Sequence, residues 1–416
     1  MEKKRIVITG IGVVAPNGIG KEEFWRNCAA GVSGIKSITL FDVSKYRCRY
    51  AGEISNFQPE KYLGPKGLRN LDRTTLLSLV AAKLAIEDAK LEITDDNRND
   101  IGVVLGSTVG SVHSISEFDK EGLREGPRYV NPAHFPNTVI NSPASQVAIR
   151  FGLRGVNSTI ATGFTASLDA IGYAMNMLML GRAKALLVGG VEELCIQTFL
   201  GFYKNGFLAT TQDGSRPFFE PFHPKCSGTL LGEGSAFFVL EPLEEAEARG
   251  ATIYSEVLGY GTCFEPDALY QYDPEAKGPI GAINESLHDA GLDPERIDHI
   301  SACANSTKIF DATEQTALET VFGRHLRDVS VTASKSLLGE SFSTGAALQL
   351  VALCGALVHQ KIFAGNGQRD RAFHVSSRPS THMSYAEPEA TALIDSFGPT
   401  GVSSVLVLRW RNPDDA

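Results

Sequence analysis

Short apolar segments alternate with helical segments along the 416-residue chain, and this alternation restricts the fold more than any other feature. It is typical of α/β proteins, in which helices cover a sheet. The pattern predicts strands at residues 5–9, 101–105, 185–191, 235–240, 253–258, 300–302 and 402–408. It predicts helices at residues 22–30, 74–89, 168–180, 244–249, 281–290, 312–321 and 346–359, and a glycine-rich turn at residues 10–20.

Several predicted helices, among them 168–180 and 346–359, are apolar nearly all round. A helix without a polar face must be buried on every side, so we expect these helices to lie between sheets. The strand-helix pattern restarts near residue 250, which divides the chain into segments 1–250 and 251–416. The sequence therefore predicts a multilayer α/β architecture.

Charge and cysteine content limit the classes of protein to which this chain can belong. With 39 Lys+Arg against 48 Asp+Glu, the net charge of −9 argues against general nucleic-acid binding. No apolar run approaches the roughly 18 residues of a membrane span. The seven cysteines are scattered and form no C-x-x-C pair, which is typical of a reducing compartment and argues against a zinc site. We expect a cytoplasmic protein without a metal ion and without membrane contact.

Several motifs occur in an order that resembles one enzyme family. Residues 5–18 (RIVITGIGVVAPNG) and 181–190 (GRAKALLVGG) are similar to segments of β-ketoacyl-acyl-carrier-protein synthases. Further similar segments are 152–155, 231–234, 334–336 and 396–398, so that the resemblance extends from residue 5 to residue 408. It implies the thiolase fold, an α/β fold with five layers in the order αβαβα and two pseudo-symmetric halves, normally assembled as a dimer.

In this family a cysteine at the start of a buried helix accepts the acyl chain, because helix N–H groups favour the thiolate and the oxyanion. The corresponding segment, residues 160–172, has Phe164 at the cysteine position. A phenyl ring cannot form a thioester and fills the space of the acyl sulfur. Thr162 and Thr165 are alternative nucleophiles, although neither has a visible activating base.

Two histidines of the family stabilise the enolate left by malonyl decarboxylation, and both positions are substituted here. The motif Asn-Ala-His-Gly-Thr reads Ser-Ala-Cys-Ala-Asn at residues 301–305, with Cys303 at the histidine position. The motif Lys-Ser-x-x-Gly-His reads Lys-Ser-Leu-Leu-Gly-Glu at residues 335–340. Lys335 is retained and Glu340 replaces the histidine, so we expect a structural ion pair between them.

A loop near the C-terminus gates acyl entry in the family, with the motif Gly-Phe-Gly-Gly. Here it reads Gly-Pro-Thr-Gly at residues 398–401, preceded by Phe397. We assign Phe397, Gly398 and Pro399 to this gate segment. Pro399 stands at the phenylalanine position, and its fixed φ is expected to stiffen the turn and remove the gate.

A retained scaffold with three substituted catalytic positions resembles a chain length factor, the β-subunit of type II polyketide ketosynthases. Such a subunit does not condense by itself. It pairs with an active ketosynthase α-subunit and shapes the tunnel that holds the polyketide intermediate. By register, Val112, Ile115 and Phe118 would face this tunnel; as an alternative, they are ordinary core or interface residues. An acyl carrier protein is the expected third component, and arginines available for its docking are Arg69, Arg73 and Arg124.

Two other hypotheses stay open. In the first, Cys303 is the nucleophile of an altered acyl-thioester chemistry, with His113 or His134 approaching as a base. In the second, the chain is a homodimeric, non-enzymatic acyl-binding scaffold. We expect no cofactor.

Overall fold

The computed structural model describes residues 4–266, 272–361, 363 and 389–411, and Arg411 is described by its backbone alone. Its strands are β1 Ile6–Ala15, β2 Gly18–Ile19, β3 Ile35–Ser37, β4 Tyr50–Gly52, β5 Ile101–Gly106, β6 Asn157–Ile160, β7 Ala185–Glu192, β8 Gly234–Pro242, β9 Ser255–Phe264, β10 His299–Ser301, β11 Ser330–Thr332, β12 Glu389–Phe397 and β13 Val402–Arg411.

The α-helices in the same ranges are α1 Lys21–Ala29, α2 Glu60–Leu63, α3 Arg73–Ala89, α4 Val112–Glu125, α5 Ser142–Phe151, α6 Ala166–Met179, α7 Ile196–Lys204, α8 Leu243–Ala248, α9 Lys277–Ala290, α10 Lys308–Phe322, α11 Lys335–Leu338 and α12 Ser343–Val358. Short 3₁₀ segments include Pro132–Thr138, before α5, and Gly163–Thr165, before α6. Every predicted helix overlaps one of these α-helices.

The main sheet repeats one strand order on either side of a central junction. Its order is β11-β10-β12-β13-β9-β1-β8-β7-β5-β6, and β9 meets β1 at only three residue pairs. Outward from this junction, each half has two antiparallel pairings followed by two parallel ones. The prediction of two pseudo-symmetric halves is confirmed by this repetition, while the exact domain boundary at residue 250 stays a prediction.

Helices α6 and α12 form the middle layer and contact strands of both halves. Residues 343–357 of α12 are all buried, as expected of a helix without a polar face. Helices α3 and α5 cover the outer face of one half, and α9 with α10 covers the other. Because strand residues alternate between faces, Val13 joins the central core and Val14 the outer one. The layers therefore follow the order αβαβα, which confirms the predicted fold class.

The predicted turn at residues 10–20 is wrong in its first half, since β1 continues to Ala15. Within the strand, a Cβ at Gly12 would overlap the carbonyl oxygen of Ala81 in α3. Likewise, a Cβ at Gly261 in β9 would overlap the carbonyl oxygen of Ala282 in α9. These glycines allow a helix to lie directly on its strand at equivalent places in the two halves.

The sequence pattern does not predict strands β2, β3, β4, β6, β11 and β12 or helices α2, α4, α5, α7 and α11. β6 has the sequence Asn-Ser-Thr-Ile and lies at the end of the sheet order, so it lacks an apolar pattern. In the described part of the chain, no helix combines the length and the apolar character needed to cross a membrane.

Candidate functional site

The substituted positions lie where the second half of the sheet meets the starts of the two middle helices. Because β10 is parallel to β11 and to β12, the carboxyl ends of these strands share one edge. The segments that follow them carry Cys303, Lys335 and Gly398. Phe164 lies two residues before α6, and Glu340 lies three residues before α12. The topology thus brings together residues that are far apart in sequence.

Phe164 occupies the expected nucleophile position as part of an aromatic cluster. Its ring centroid lies 5.3 Å from that of Phe342 and 6.4 Å from that of Phe202, and the latter two are 4.8 Å apart. Ser396 donates its hydroxyl hydrogen to the Phe164 carbonyl at 3.0 Å. A Cβ at Gly398 would lie 3.0 Å from the Phe164 ring. The ring therefore fills an apolar space and leaves no polar group at this position.

Lys335 and Glu340 form a buried ion pair, with 2.8 Å between Nζ and Oε2 and side-chain exposures of 2% and 0%. Asn305 donates to Oε2 at 3.0 Å, and the backbone N–H of Phe342 donates to Oε1 at 2.9 Å. Burial is the largest influence on the pKa of Lys335 and lowers it, but the charge and hydrogen bond of Glu340, together with the charges of Cys303 and Glu314, raise the pKa above its usual value. Both carboxylate oxygens are thus engaged, which indicates a structural role for Glu340.

Cys303 is fully buried between acidic and aromatic groups. Its backbone N–H donates to Glu314 Oε1 at 2.7 Å and to Asp395 Oδ1 at 3.0 Å. Burial, followed by the charges of Asp395 and Glu314, raises the pKa of the Cys303 thiol well above its usual value. A thiol held protonated in this way is a poor nucleophile, since the thiolate is the reactive form. The structure therefore does not support the hypothesis of a nucleophilic Cys303.

The two candidate bases for Cys303 make contacts elsewhere. The ring of His113 faces Gln197 at 3.4 Å, and the ring of His134 faces Asn131 at 3.4 Å. Both histidines are exposed, whereas Cys303 is enclosed.

The thiol of Cys303 and one carboxyl oxygen each of Glu314 and Asp395 lie within 4.8 Å of one another, a grouping that also occurs in metal sites. Burial and the neighbouring Asp395 raise the pKa of Glu314 well above its usual value, and burial raises that of Asp395 to about 6. These shifts fit a carboxylic acid beside a carboxylate. A proton on one of the two carboxyl groups thus explains how they lie side by side. The positive charge of the nearby Lys335 partly neutralises the remaining carboxylate.

The hydroxyls of Thr162 and Thr165 both donate to Asp169, at 2.8 Å for Thr165. Tyr260, at 2.7 Å, and Ser404 donate to the other oxygen of the same carboxylate. Sequence analysis missed Asp169, although its i+4 spacing from Thr165 was visible. Because this carboxylate accepts four hydroxyl hydrogen bonds, we interpret it as an anchor for the start of α6 rather than as a general base.

The gate segment consists of the end of a strand and the turn that follows it. Phe397 is the last residue of β12, and its ring stacks on Phe310 with 4.3 Å between centroids. Gly398 and Pro399 belong to the tight turn into β13, in which Gly401 N–H donates to the Gly398 carbonyl at 3.2 Å. The turn thus lies against Phe164, and the effect of Pro399 on gating stays a prediction.

The proposed tunnel residues Val112, Ile115 and Phe118 lie on α4, of which no residue is fully buried. Phe118 contacts Phe135 of the 3₁₀ segment Pro132–Thr138 with 6.1 Å between ring centroids. All three side chains are half-buried. They are therefore not ordinary core residues within this chain, and their role in a tunnel stays a prediction.

Comparison with known proteins agrees with this geometry. The family model for the β-ketoacyl synthase N-terminal domain matches residues 3–246, and the model for the C-terminal domain matches residues 254–365. A 3-oxoacyl-[acyl-carrier-protein] synthase 2 of Coxiella burnetii is 36% identical over 352 residues, covering 84% of this chain and 85% of the relative. The protein with the same name in Synechocystis is 33% identical over 363 residues, covering 87% of each.

Two solved structures are similar over nearly the whole chain. The ishigamide ketosynthase/chain length factor has 30% identity and a TM-score of 0.84, covering 98% of this chain and 99% of its own. A type II polyketide synthase acyl-carrier protein in complex with its ketosynthase has 26% identity and a TM-score of 0.85, covering 99% and 100%. With both domain models matched and with relatives more than 30% identical, this chain belongs to the β-ketoacyl synthase family.

Proposed function

We propose that this chain is a chain length factor that pairs with an active ketosynthase and shapes the tunnel for a growing polyketide. The observation that carries the proposal is the content of the site. Phe164, Cys303 and Glu340 occupy the three catalytic positions within an otherwise complete fold. Without a nucleophile or an enolate-stabilising histidine, the chain is expected to be inactive alone, so the condensation chemistry must come from a partner.

The surface around α4 supports a protein partner. In the part of the chain that the structure describes, β6 ends the sheet order on this side, and an unpaired strand edge can pair with a second chain. Large apolar side chains are exposed in the neighbouring segments: Leu123, Tyr129, Phe135, Val139 and Ile149. Apolar groups collected in one region are typical of protein interfaces. We assign this surface to the active ketosynthase α-subunit, which places Val112, Ile115 and Phe118 near the shared tunnel.

Phe164 also bears on the decarboxylation that primes polyketide synthesis. Its ring is enclosed by Phe202 and Phe342 and offers no hydrogen bond to a malonyl carbonyl. We therefore propose that this chain does not decarboxylate malonyl groups itself.

The acyl carrier protein is proposed to dock on local basic groups of the complex, in the cytoplasm. Arg73 is not available for it, because it is paired with the buried Glu233 at 2.6 Å. Arg69 and Arg124 remain exposed. Of the three candidate arginines, these two are therefore available for docking on this chain, and the partner's surface offers the alternative.

Co-expression with a cysteine-bearing ketosynthase tests the proposal. We expect a 1:1 complex that yields polyketides from malonyl units and carrier protein, read by product mass, whereas this chain alone yields none. Condensation by this chain alone would contradict the proposal and would indicate that the chain is itself an active synthase, like the relatives named above. A stable homodimer that ignores the ketosynthase would favour the acyl-binding scaffold instead.

A further inference from the structure

Helix α4 begins beside two buried carboxylates at the end of β7, Glu192 and Glu193. Its N-cap residue Ser111 makes no side-chain capping hydrogen bond. Instead, the carboxylate of Glu193 accepts the N–H of His113, in the first turn, at 3.1 Å. A negative group at this end also interacts favourably with the helix dipole. Glu193 thus supplies the missing cap from a different part of the chain.

Among the residues that the structure describes, α4 has few other supports, and none of its own residues is fully buried. The N–H of Asn131 donates to Glu121 of α4 at 3.5 Å. The His113 ring faces Gln197 of α7, and Phe118 rests on Phe135. The loop before the helix is attached through Thr108, whose N–H donates to Glu192. The carboxylates of Glu192 and Glu193 are therefore the buried part of the support.

The location of Glu193 is unfavourable for its charge. Only 2% of the residue is exposed, and burial together with the charges of Asp72 and Glu233 raises its pKa to about 7. Arg73 and Glu53 lie in the same cluster, and Arg73 is engaged by Glu233. Since a neutral apolar residue would avoid this repulsion, burial alone does not explain a carboxylate here; the attraction of Arg73 and the hydrogen bond from the first turn of α4 offset its cost.

We propose that Glu193 is a positioning residue that fixes the start of α4 and thereby sets where Val112, Ile115 and Phe118 stand. This inference rests on the proposed function for its link to product length, because it assumes that α4 lines the shared tunnel. The positioning itself is a property of this chain and is measurable without a partner.

Two substitutions of similar size distinguish the effect of the Glu193–His113 hydrogen bond from the effect of side-chain volume. Glu193→Gln keeps an acceptor for His113, whereas Glu193→Met keeps the size and removes the acceptor. Hydrogen bonds to charged groups are strong enough that Glu193→Met is expected to accelerate amide exchange in residues 112–118 by about tenfold or more. Glu193→Gln is expected to stay within about threefold of the natural chain, because the neutral bond is weaker but present.

A second readout distinguishes positioning from general damage. Glu193→Met relieves the repulsion with Asp72 and Glu233, so its global unfolding midpoint at pH 8 is expected to equal or exceed that of the natural chain. The matched control is Glu241→Met, at another buried glutamate, paired with Arg249 far from α4. It is expected to leave exchange in residues 112–118 unchanged. If Glu193→Met does not fold, Glu193→Ser, whose hydroxyl is too short to reach His113, is expected to give the same tenfold change.

Equal exchange in the methionine and glutamine variants, or an equal effect of Glu241→Met, would overturn the inference. In the complex with a ketosynthase, Glu193→Met is expected to broaden the distribution of product lengths, and Glu193→Gln to preserve it. If not even the natural chain supports product formation, the proposed function fails while the exchange result still decides the positioning. If amide exchange changes but product length does not, Glu193 positions α4, but the position of α4 does not set product length.

Discussion

Replacing Glu340 by glutamine tests whether the buried Lys335 depends on its ion pair. Glu340→Gln keeps the shape of the side chain and an acceptor for the Phe342 N–H. It leaves the Lys335 ammonium, with a side chain only 2% exposed, without the counter-charge now 2.8 Å away. Removing one partner of a buried pair typically costs about 3–5 kcal/mol, because an uncompensated charge remains. Because the single amide oxygen of glutamine cannot accept from both Phe342 and Lys335, we expect a loss of at least about 3 kcal/mol in unfolding free energy.

The double variant Lys335→Met, Glu340→Gln removes both charges and is expected to lie within about 1 kcal/mol of the natural chain, since neutral replacement of a buried pair is often tolerated. Lys335→Met alone leaves Glu340 without its cation and is expected to be destabilised in the same range as Glu340→Gln. Two single losses of about 3 kcal/mol each and a double loss of at most about 1 kcal/mol correspond to a coupling energy of about 5 kcal/mol.

The assay is urea-induced unfolding, followed by the fluorescence of the two tryptophans. The control is Glu117→Gln, in the exposed Lys120–Glu117 pair at 2.9 Å, which is expected to change stability by less than about 0.5 kcal/mol. The reasoning is refuted if Glu340→Gln costs no more than this control, or if the double variant is as unstable as the sum of the two single ones.

Four further outcomes are expected. Phe164→Cys should not restore condensation in a malonyl-dependent assay, because both histidines would still be missing; recovered activity would contradict the site assignment. Val112→Trp should shorten the products of the reconstituted complex by mass spectrometry, and unchanged lengths would remove Val112 from the tunnel. Cys303 should resist iodoacetamide at neutral pH until the protein unfolds, as seen by peptide mass; rapid alkylation would revive the nucleophile hypothesis. Burial raises the pKa of Glu192 and of Glu193 from 4.5 to about 7, so the folded state binds each proton more tightly than the unfolded state does. The stability contributed by each group is therefore complete below pH 4.5 and is lost as the pH rises through 7. Unfolding free energy should therefore fall by about 1 kcal/mol for each group between pH 6 and 8, a slope that Glu193→Gln should reduce; an unchanged slope in that variant would contradict the shift.

Local patterns in the sequence determined the class of fold and the identity of the substituted positions. Strand and helix periodicity depends on neighbouring residues, so the alternation predicted an α/β protein with buried helices. The order of short motifs located Phe164, Cys303 and Glu340, since motif spacing survives the replacement of single side chains. The spacing of Lys335 and Glu340 predicted their ion pair, because the two residues lie in one short segment.

Only the tertiary structure decided what surrounds these residues. Whether Cys303 is reactive depends on Glu314 and Asp395, which approach it from another helix and another strand. The support of α4 by Glu193 joins groups 80 residues apart. Burial and electrostatic interactions are sums over atoms close in space, whatever their separation along the chain. A sequence pattern can therefore name the residues of this site, but their protonation, contacts and exposure follow from how the two halves pack.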